Sequence, residues 1–492
     1  MNVVLRIAKN TFVLLCTQVA SYIISFVYML GMARYLSPAN FGILSFAIAF
    51  TAIISVLGDL GLQWYATRDL SRDITKAPQY LANLIPVKII LAVLSYGIIV
   101  AIVFLAGLPR QTALTVSFIG ISVVLNIFML LFQGFYQAAE KMEFVGFGQL
   151  LSAALIFAGV FIAIFLKLDV VAFALIYLLS SIITLIFHII VMRAAFPGIL
   201  PGSIGSGLKI EPSFVAGAFT ACWPIAVALI FNALYSWIDT VILSVLCDTA
   251  VAGYYNASYK MVMTLYIIPV SLGAAVFPAM ARYYIIDRNM SKLTLEKSLK
   301  YLFILSLPIA AATTVLSERF IIQFYGEAFL PAALSLKILI WSVPFYFTNV
   351  IFGNYFNVAN RQIVSTLACV VMAVVNIAVN LIFIPRLGLA AAGAAKLAAD
   401  VSFMAVLFSQ VRSVGYKIKY GAALLSFGKI ALASAVMLGF LLFFYNMNMI
   451  PLVALAALIY FGVLFILRPF DDNDWNIARQ LLNNWVAGKA PD

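Results

Sequence analysis

Apolar runs of about twenty residues, the length of a helix that crosses a hydrocarbon layer, recur along most of the 492-residue chain. Punctuated by Pro, Gly and charge, fourteen can be read: 11–34, 41–63, 81–106, 112–138, 146–166, 170–192, 214–246, 252–281, 299–317, 332–357, 363–384, 389–410, 427–446 and 449–467. Composition agrees: 65% of residues are hydrophobic and 10% charged, against roughly 45–50% and about 25% in soluble domains. A soluble enzyme, a disordered chain and a coiled coil are excluded. The fold class is all-α integral membrane, with about fourteen transmembrane helices. Pro224 and Pro269 lie in the two longest runs and predict bends there, because proline removes a backbone donor.

Basic residues in short loops beside apolar spans set orientation. With the N-terminus placed in the cytoplasm, 21 of the 30 Lys and Arg residues fall inside; five (Arg34, Arg110, Lys167, Arg319, Arg386) fall outside and four within spans. The formal charge of +12 thus reads as an insertion signal, with no nucleic-acid partner. The expectation is a multi-pass protein of the inner (cytoplasmic) membrane with both termini cytoplasmic. The first run ends in Met32-Ala33-Arg34-Tyr35, without a small-x-small cleavage site, and is expected to stay as the first helix. Cys16, Cys222, Cys247 and Cys369 lie in or at the ends of spans at no metal-like spacing, so they read as small hydrophobes. No metal and no cofactor is expected.

The chain carries faint internal repeats. Arg34-Tyr35-Leu36-Ser37-Pro38-Ala39-Asn40-Phe41-Gly42 joins spans 1 and 2, and Val245 to Gly253 joins spans 7 and 8 at an offset of 211. Gln137 to Lys141 matches Asn357 to Arg361 at an offset of 220, and Lys167-Leu168-Asp169 matches Arg386-Leu387-Gly388 at 219. Three matches in order imply two parallel six-helix lobes in pseudo-twofold arrangement, 1–205 and 206–425. An extra helix pair, 426–467, and a cytoplasmic tail, 468–492, follow. The Gly-, Pro- and Ser-rich stretch 193–213 reads as a linker between the lobes.

Polar residues inside spans are costly and usually face the protein interior. Thr51, Ser55, Asp59 and Gln63 form an i+4 stripe in span 2, and Ser122, Asn126, Gln133 and Gln137 form another in span 4. Each reads either as a helix–helix seam or as a lumen lining. Asn232, Ser236 and Asp239 lie near one face of span 7. Asn376 and Asn380 in span 11 are one turn apart, as are Lys396 and Asp400 in span 12, the latter readable as a self-neutralising pair. Arg34, Lys88, Lys260 and Lys337 add to a cationic interior, although each is also readable as snorkelling or structurally paired. His188, between Phe187 and Ile189, reads as a packed histidine rather than a catalyst.

Three passages resemble a known family. Ala33-Arg34-Tyr35-Leu36-Ser37-Pro38-Ala39-Asn40-Phe41-Gly42 is similar to its A-R-x-L-x-P-x-x-F-G turn. Gly58-Asp59-Leu60-Gly61-Leu62 with Thr67-Arg68-Asp69-Leu70-Ser71-Arg72 is similar to its D-L-G-L…R-(D/E)-x-x-R passage. Phe324-Tyr325-Gly326-Glu327-Ala328-Phe329-Leu330-Pro331-Ala332-Ala333 resembles its F-G-x-x-F/Y-x-x-A passage. The family is the multidrug/oligosaccharidyl-lipid/polysaccharide exporter superfamily, and within it the Wzx-type lipid-linked oligosaccharide flippases.

The resemblance implies an alternating-access flippase that carries a polyprenyl-(pyro)phosphate-linked oligosaccharide to the outer leaflet, for surface polysaccharide or glycoprotein glycan. Membrane lipid and polysaccharide polymerase or glycosyltransferase proteins are the implied partners, and the protein is expected to act as a monomer. Arg34, Lys88, Lys260 and Lys337 would attract the anionic lipid–glycan junction. Related lipid II flippases hold a coupling cation between helices 7, 11 and 12, and Asp239, Asn376 and Asn380 fall at matching places. This chain departs in having Asn380 where a carboxylate is expected and Lys396 close by, a lysine ammonium where a cation would sit; Asp239 and Lys396 are expected to pair across spans 7 and 12 in one access state. Sodium coupling, proton coupling or none stay open.

A drug or organic-cation antiporter is the alternative, but it favours carboxylates over lysines. A membrane glycan polymerase or ligase would carry a large outer loop; here the longest runs over 317–331. A nucleotide-driven exporter would need G-x-x-x-x-G-K-[ST], which this sequence lacks. The expected protein is therefore a transporter without enzymatic activity.

Overall fold

The computed structural model describes residues 3–197, 211–414 and 420–467. In these residues the chain forms helices and no strand. They are α1 (Val3–Tyr35), α2 (Pro38–Asp59), α3 (Leu62–Leu70), α4 (Ala77–Leu105), α5 (Arg110–Ala138), α6 (Met142–Phe165), α7 (Val170–Ala195), α8 (Pro212–Leu246), α9 (Thr249–Thr264), α10 (Ile267–Ile286), α11 (Arg288–Tyr325), α12 (Ala332–Leu339), α13 (Ser342–Val358), α14 (Gln362–Leu387), α15 (Leu389–Gln410), α16 (Tyr420–Phe443) and α17 (Met449–Leu467). Thirteen spans are long and apolar enough to cross a membrane, and α12 with α13, bent by 42°, makes a fourteenth. This is an all-α multi-pass membrane fold. Helices satisfy their own amides, which hydrocarbon requires, and they present large apolar side chains outward: Phe165 is 85% exposed, Leu105 82% and Phe443 83%. Most of the 193–213 linker, at 198–210, and the 468–492 tail lie outside the described residues.

Three spans are broken, each for a local reason. α2 ends at Asp59 because Leu60 (φ 47°) and Gly61 (φ 80°) turn left-handed, and α3 restarts at Leu62. The span 2 stripe is therefore interrupted, and Gln63 belongs to a different helix from Thr51, Ser55 and Asp59. α9 gives way to α10 at Leu265-Tyr266, and α12 to α13 at Ile340-Trp341. In both, a proline is the third residue of the new helix, Pro269 and Pro344. Its ring clashes with the carbonyl four residues back and removes one ladder bond. α8, by contrast, continues through Pro224.

The chain divides into two compact units. The first comprises Met1–Thr264, Ile321–Ser335 and Thr366–Ser402. Here α1 packs on α6, α5 on α7, and α2 against α5, α8 and α9. One of its cores gathers Leu62, Tyr80, Phe132, Phe135, Tyr136 and Cys222. The second unit comprises Leu265–Phe320, Leu336–Ser365 and Phe403–Asp492. In it α16 packs on α17, and Ile304, Leu316, Met437, Leu452 and Tyr460 share a core. The Tyr460 hydroxyl donates to the Ile304 carbonyl at 2.7 Å.

Within the first unit α2 and α9 meet backbone to backbone. A Cβ on Gly42 would lie 1.7 Å from the Thr249 carbonyl oxygen, and one on Gly253 would lie 2.2 Å from the Pro38 carbonyl oxygen. The contact is reciprocal. Gly42 and Gly253, like Pro38 and Thr249, are separated by 211 residues, the offset of the first repeat match. Two helices can approach this closely only where neither carries a side chain.

Because the clashing atoms are backbone, Gly42→Ala and Gly253→Ala must push two helices apart, at the cost of overpacking, about 1–3 kcal/mol. Gly97→Ala, with nothing within 4 Å of its Cβ, is the control and should hold or raise stability, since Ala exceeds Gly in helices by about 0.5–1 kcal/mol. Thermal unfolding in detergent is expected to show lower midpoints for the first two variants only. Equal behaviour of Gly42→Ala and Gly97→Ala would refute the close crossing.

Candidate functional site

The densest polar cluster of the first unit is centred on Asp239, which is 1% exposed. Its Oδ1 accepts from Asn376 Nδ2 at 2.9 Å and from Asn380 Nδ2 at 2.5 Å. Its Oδ2 accepts from the Tyr255 hydroxyl at 2.9 Å and lies 3.6 Å from Lys396 Nζ. Helices α8, α9, α14 and α15 each contribute. The spacing of Asn376 and Asn380 puts both amides on one face of α14, and Asn380 also donates to Asn376 Oδ1 at 3.3 Å. The Lys396 ammonium donates to the Tyr235 carbonyl and stands over two rings, 3.5 Å from the centroid of Tyr235 and 4.8 Å from that of Tyr259. The Tyr235 hydroxyl donates to Asp400 Oδ1 at 2.9 Å. Lys396 thus reaches across to α8 and pairs with Asp239, while the charge of Asp400, one turn along its own helix, also acts on it.

The second buried charge is also paired. Lys88 on α4 is fully buried, and its ammonium bonds Asp59 and, at 3.2 Å, the Ile127 carbonyl. Asp59 sits at the C-terminal end of α2, where exposed carbonyls make a carboxylate unwelcome; the ammonium offsets both. Gly58 makes room for this meeting, since a Cβ there would lie 2.1 Å from Ile127 Cδ1.

The remaining cations differ in setting. Arg34 caps the end of α11, its guanidinium donating to the carbonyls of Gln323 and, at 2.8 Å, Phe324. Lys337 belongs to the second unit and pairs with Glu318 at 2.7 Å. Lys260 is half-buried with its ammonium 5.2 Å from the centre of the Trp237 ring. Asn232, grouped with Asp239 by sequence, is exposed and not in the cluster. Ser122 meets Ser181 at 2.6 Å, a helix–helix seam. His188 is fully buried against Tyr136 and Phe187, and a Cβ on Gly148 would touch its ring at 2.6 Å. It is a packed side chain. No group of three or more His, Cys, Asp or Glu among the described residues is placed to hold a metal ion.

Sequence reasoning did not single out Tyr235, Tyr255, Tyr259 or Glu318. The first three resemble any other tyrosine in an aromatic-rich chain. Glu318 falls just past the run read as span 9, whereas α11 continues to Tyr325.

A family model described as polysaccharide biosynthesis protein matches residues 7–284, more than half of the chain. The chain belongs to the polysaccharide biosynthesis protein family. A second model, MatE, matches residues 224–382. Among solved structures the fold is similar to that of the lipid II flippase MurJ in an inward closed conformation, with a TM-score of 0.74 and 17% identity over 95% of this chain and 100% of that one. It is similar also to an inward-facing multidrug resistance MATE family transporter of the MOP superfamily (TM-score 0.67, 12% identity, 80% of this chain and 94% of that one). A MOP superfamily transporter from Pyrococcus furiosus aligns at a TM-score of 0.54 and 11% identity, over 84% of this chain and 95% of that one. At such identities the likeness is one of fold. Curated protein sequences yield no significant match.

For this member of the polysaccharide biosynthesis protein family, two of the passages that carry the sequence resemblance pack on one another. Arg34 bonds the Phe324 carbonyl, and Phe41 meets Phe329 edge to face at 5.8 Å. They specify turns and helix ends, which is why they identify the fold and say little about cargo. The paired charges give a stability test. Lys88→Met and Asp59→Asn each strand a partner away from water, a loss of about 3–5 kcal/mol, whereas the double variant removes the ionic pair. Unfolding midpoints are expected to be lowest for Lys88→Met, with partial recovery in the double variant; additive losses would contradict a direct pair.

Proposed function

We propose that the protein is a flippase that moves a polyprenyl-(pyro)phosphate-linked oligosaccharide from the cytoplasmic to the outer leaflet by alternating access. The family supports the cargo class, and the fold shared with MOP superfamily transporters supports the cycle. The bias of basic residues supports an inner-membrane protein with cytoplasmic termini. The reciprocal Gly42–Gly253 crossing, at residues 211 apart, is what two parallel six-helix lobes, 1–205 and 206–425, would produce at their pseudo-twofold axis. In this reading the crossing closes the outer side and parts when the lobes rock. The lipid tails stay in the bilayer while the glycan crosses, so no bond is made or broken. The protein works as a monomer with polymerase or glycosyltransferase partners.

The observation that carries the cargo assignment is Lys260. Among the described residues, Lys88, Lys337 and Lys396 have carboxylate partners, and the Arg34 guanidinium is bound to carbonyls. Lys260 instead presents its ammonium over the face of Trp237. An ammonium beside an indole face suits a junction of phosphate and sugar, the one by charge and the other by stacking. The drug-antiporter reading is less well supported, because Asp239, a carboxylate an organic cation would need, is already held by two amides, a hydroxyl and an ammonium.

Surface-glycan complementation in a deletion strain, scored at equal membrane abundance, tests this. Lys260→Gln is expected to lower export by at least about tenfold, since a charge pair at roughly 4 Å in an effective dielectric of ~20 is worth about 4 kcal/mol, well beyond the ~1.4 kcal/mol of one decade. Lys260→Arg should retain much of it. Normal export by Lys260→Gln would remove the cationic contact from the mechanism.

A further inference from the structure

The Asp239 cluster raises a separate question: what cation it is built to hold. The resemblance to lipid II flippases implies a metal cation near Asp239, and the residues present do not fit one. Alkali cations want several oxygens converging on one point. Asp239 Oδ1 instead receives the amide nitrogens of Asn376 and Asn380, and Oδ2 receives the Tyr255 hydroxyl. A fixed ammonium stands 3.6 Å from Oδ2 and would repel a second positive ion.

We infer that Lys396 is the cation of this site, a tethered ammonium that occupies a cage which, without it, would accept a small free cation. The cage is that of an ammonium receptor: the Tyr235 ring face at 3.5 Å, the Tyr259 ring face at 4.8 Å, the Tyr235 carbonyl, the Asp239 carboxylate at 3.6 Å, and the charge of Asp400 one turn along the same helix. Aromatic faces attract alkylammonium groups strongly once these leave water. Lys396 and Asn376 are 0% exposed and Asp239 1%, so no solvent competes. The stacking of Tyr255 on Tyr259, 5.8 Å apart and nearly parallel, fixes one wall, and the bond from the Tyr235 hydroxyl to Asp400 fixes the other. Carried on its own helix, this ammonium is present at all times. The site needs no ion from solution, and a sodium gradient has nothing there to act on.

The inference stands independently of the glycan reading, and its test uses no glycan. Thermal unfolding of the purified full-length protein is compared in sodium chloride, methylammonium chloride and N-methyl-D-glucamine chloride at equal ionic strength. The wild type is expected to give the same midpoint in all three. Lys396→Ala, which empties the cage, should unfold several degrees lower in N-methyl-D-glucamine and recover saturably with methylammonium, less so with sodium. Lys396→Met, whose stem still fills the cage, should fall without recovering. A folded Lys396→Ala variant indifferent to both ions would overturn the inference. So would sodium stabilisation of the wild type that Asp239→Asn abolishes. Should Lys396→Ala fail to fold, radiolabelled sodium binding to the wild type decides: no Asp239-dependent binding is expected, and saturable Asp239-dependent binding contradicts it.

Discussion

One carboxylate, Asp239, ties four helices of the first unit together. It is buried where water cannot reach, so each of its oxygens must be answered from within the protein, and α9, α14 and α15 supply a hydroxyl, two amides and an ammonium. The same requirement recurs between Lys88 and Asp59, where α4 neutralises the carboxylate at the broken end of α2. Buried pairs of this kind contribute little net stability compared with apolar packing. Their effect is to fix which helices are neighbours and in what rotation, because any other arrangement leaves a charge stranded. Such networks also have few ways to be half made.

The spans were legible because crossing hydrocarbon demands about twenty apolar residues in a row, a signal that lies wholly along the chain. Breaks within spans were less so. Pro269 marked one of them, but the pair of left-handed residues Leu60 and Gly61 splits an i+4 stripe that reads as continuous. Embedded charges could be enumerated from sequence, whereas their partners depend on helix rotation and packing. Asp59 lies 29 residues from Lys88, and only the fold brings them together. The i+4 spacing of Lys396 and Asp400 allowed a pair on one helix, and the expected pairing of Lys396 with Asp239 across spans is the one whose ammonium and carboxylate meet, at 3.6 Å. Asp239, Asn376 and Asn380 were found because polar residues in apolar spans stand out; Tyr235, Tyr255 and Tyr259 were not, because tyrosine does not.

The internal repeat illustrates the same division. The offset of 211 is a one-dimensional observation, and by itself weak. In the structure Gly42 meets Thr249 and Gly253 meets Pro38, two contacts whose residues are related by that same offset. A helix crossing with no room for a Cβ on either side depends on both glycines at once.

What distinguishes the proposed substrate path is charge that the structure leaves available. Pairing neutralises the buried Lys88 and Lys396, Lys337 meets Glu318 in an exposed pair, and Lys260 keeps its ammonium over an aromatic face. The central claim is that this fold carries a lipid-linked glycan across a bilayer without chemical change. Its most direct test is reconstitution. Proteoliposomes loaded on one leaflet with a polyprenyl-pyrophosphate oligosaccharide are scored by the fraction that becomes accessible to a lectin added to the opposite side. The account calls for protein-dependent transfer of intact lipid-linked glycan, well above protein-free vesicles. Transfer equal to that of empty vesicles, with the protein folded and the lipid intact, would contradict it.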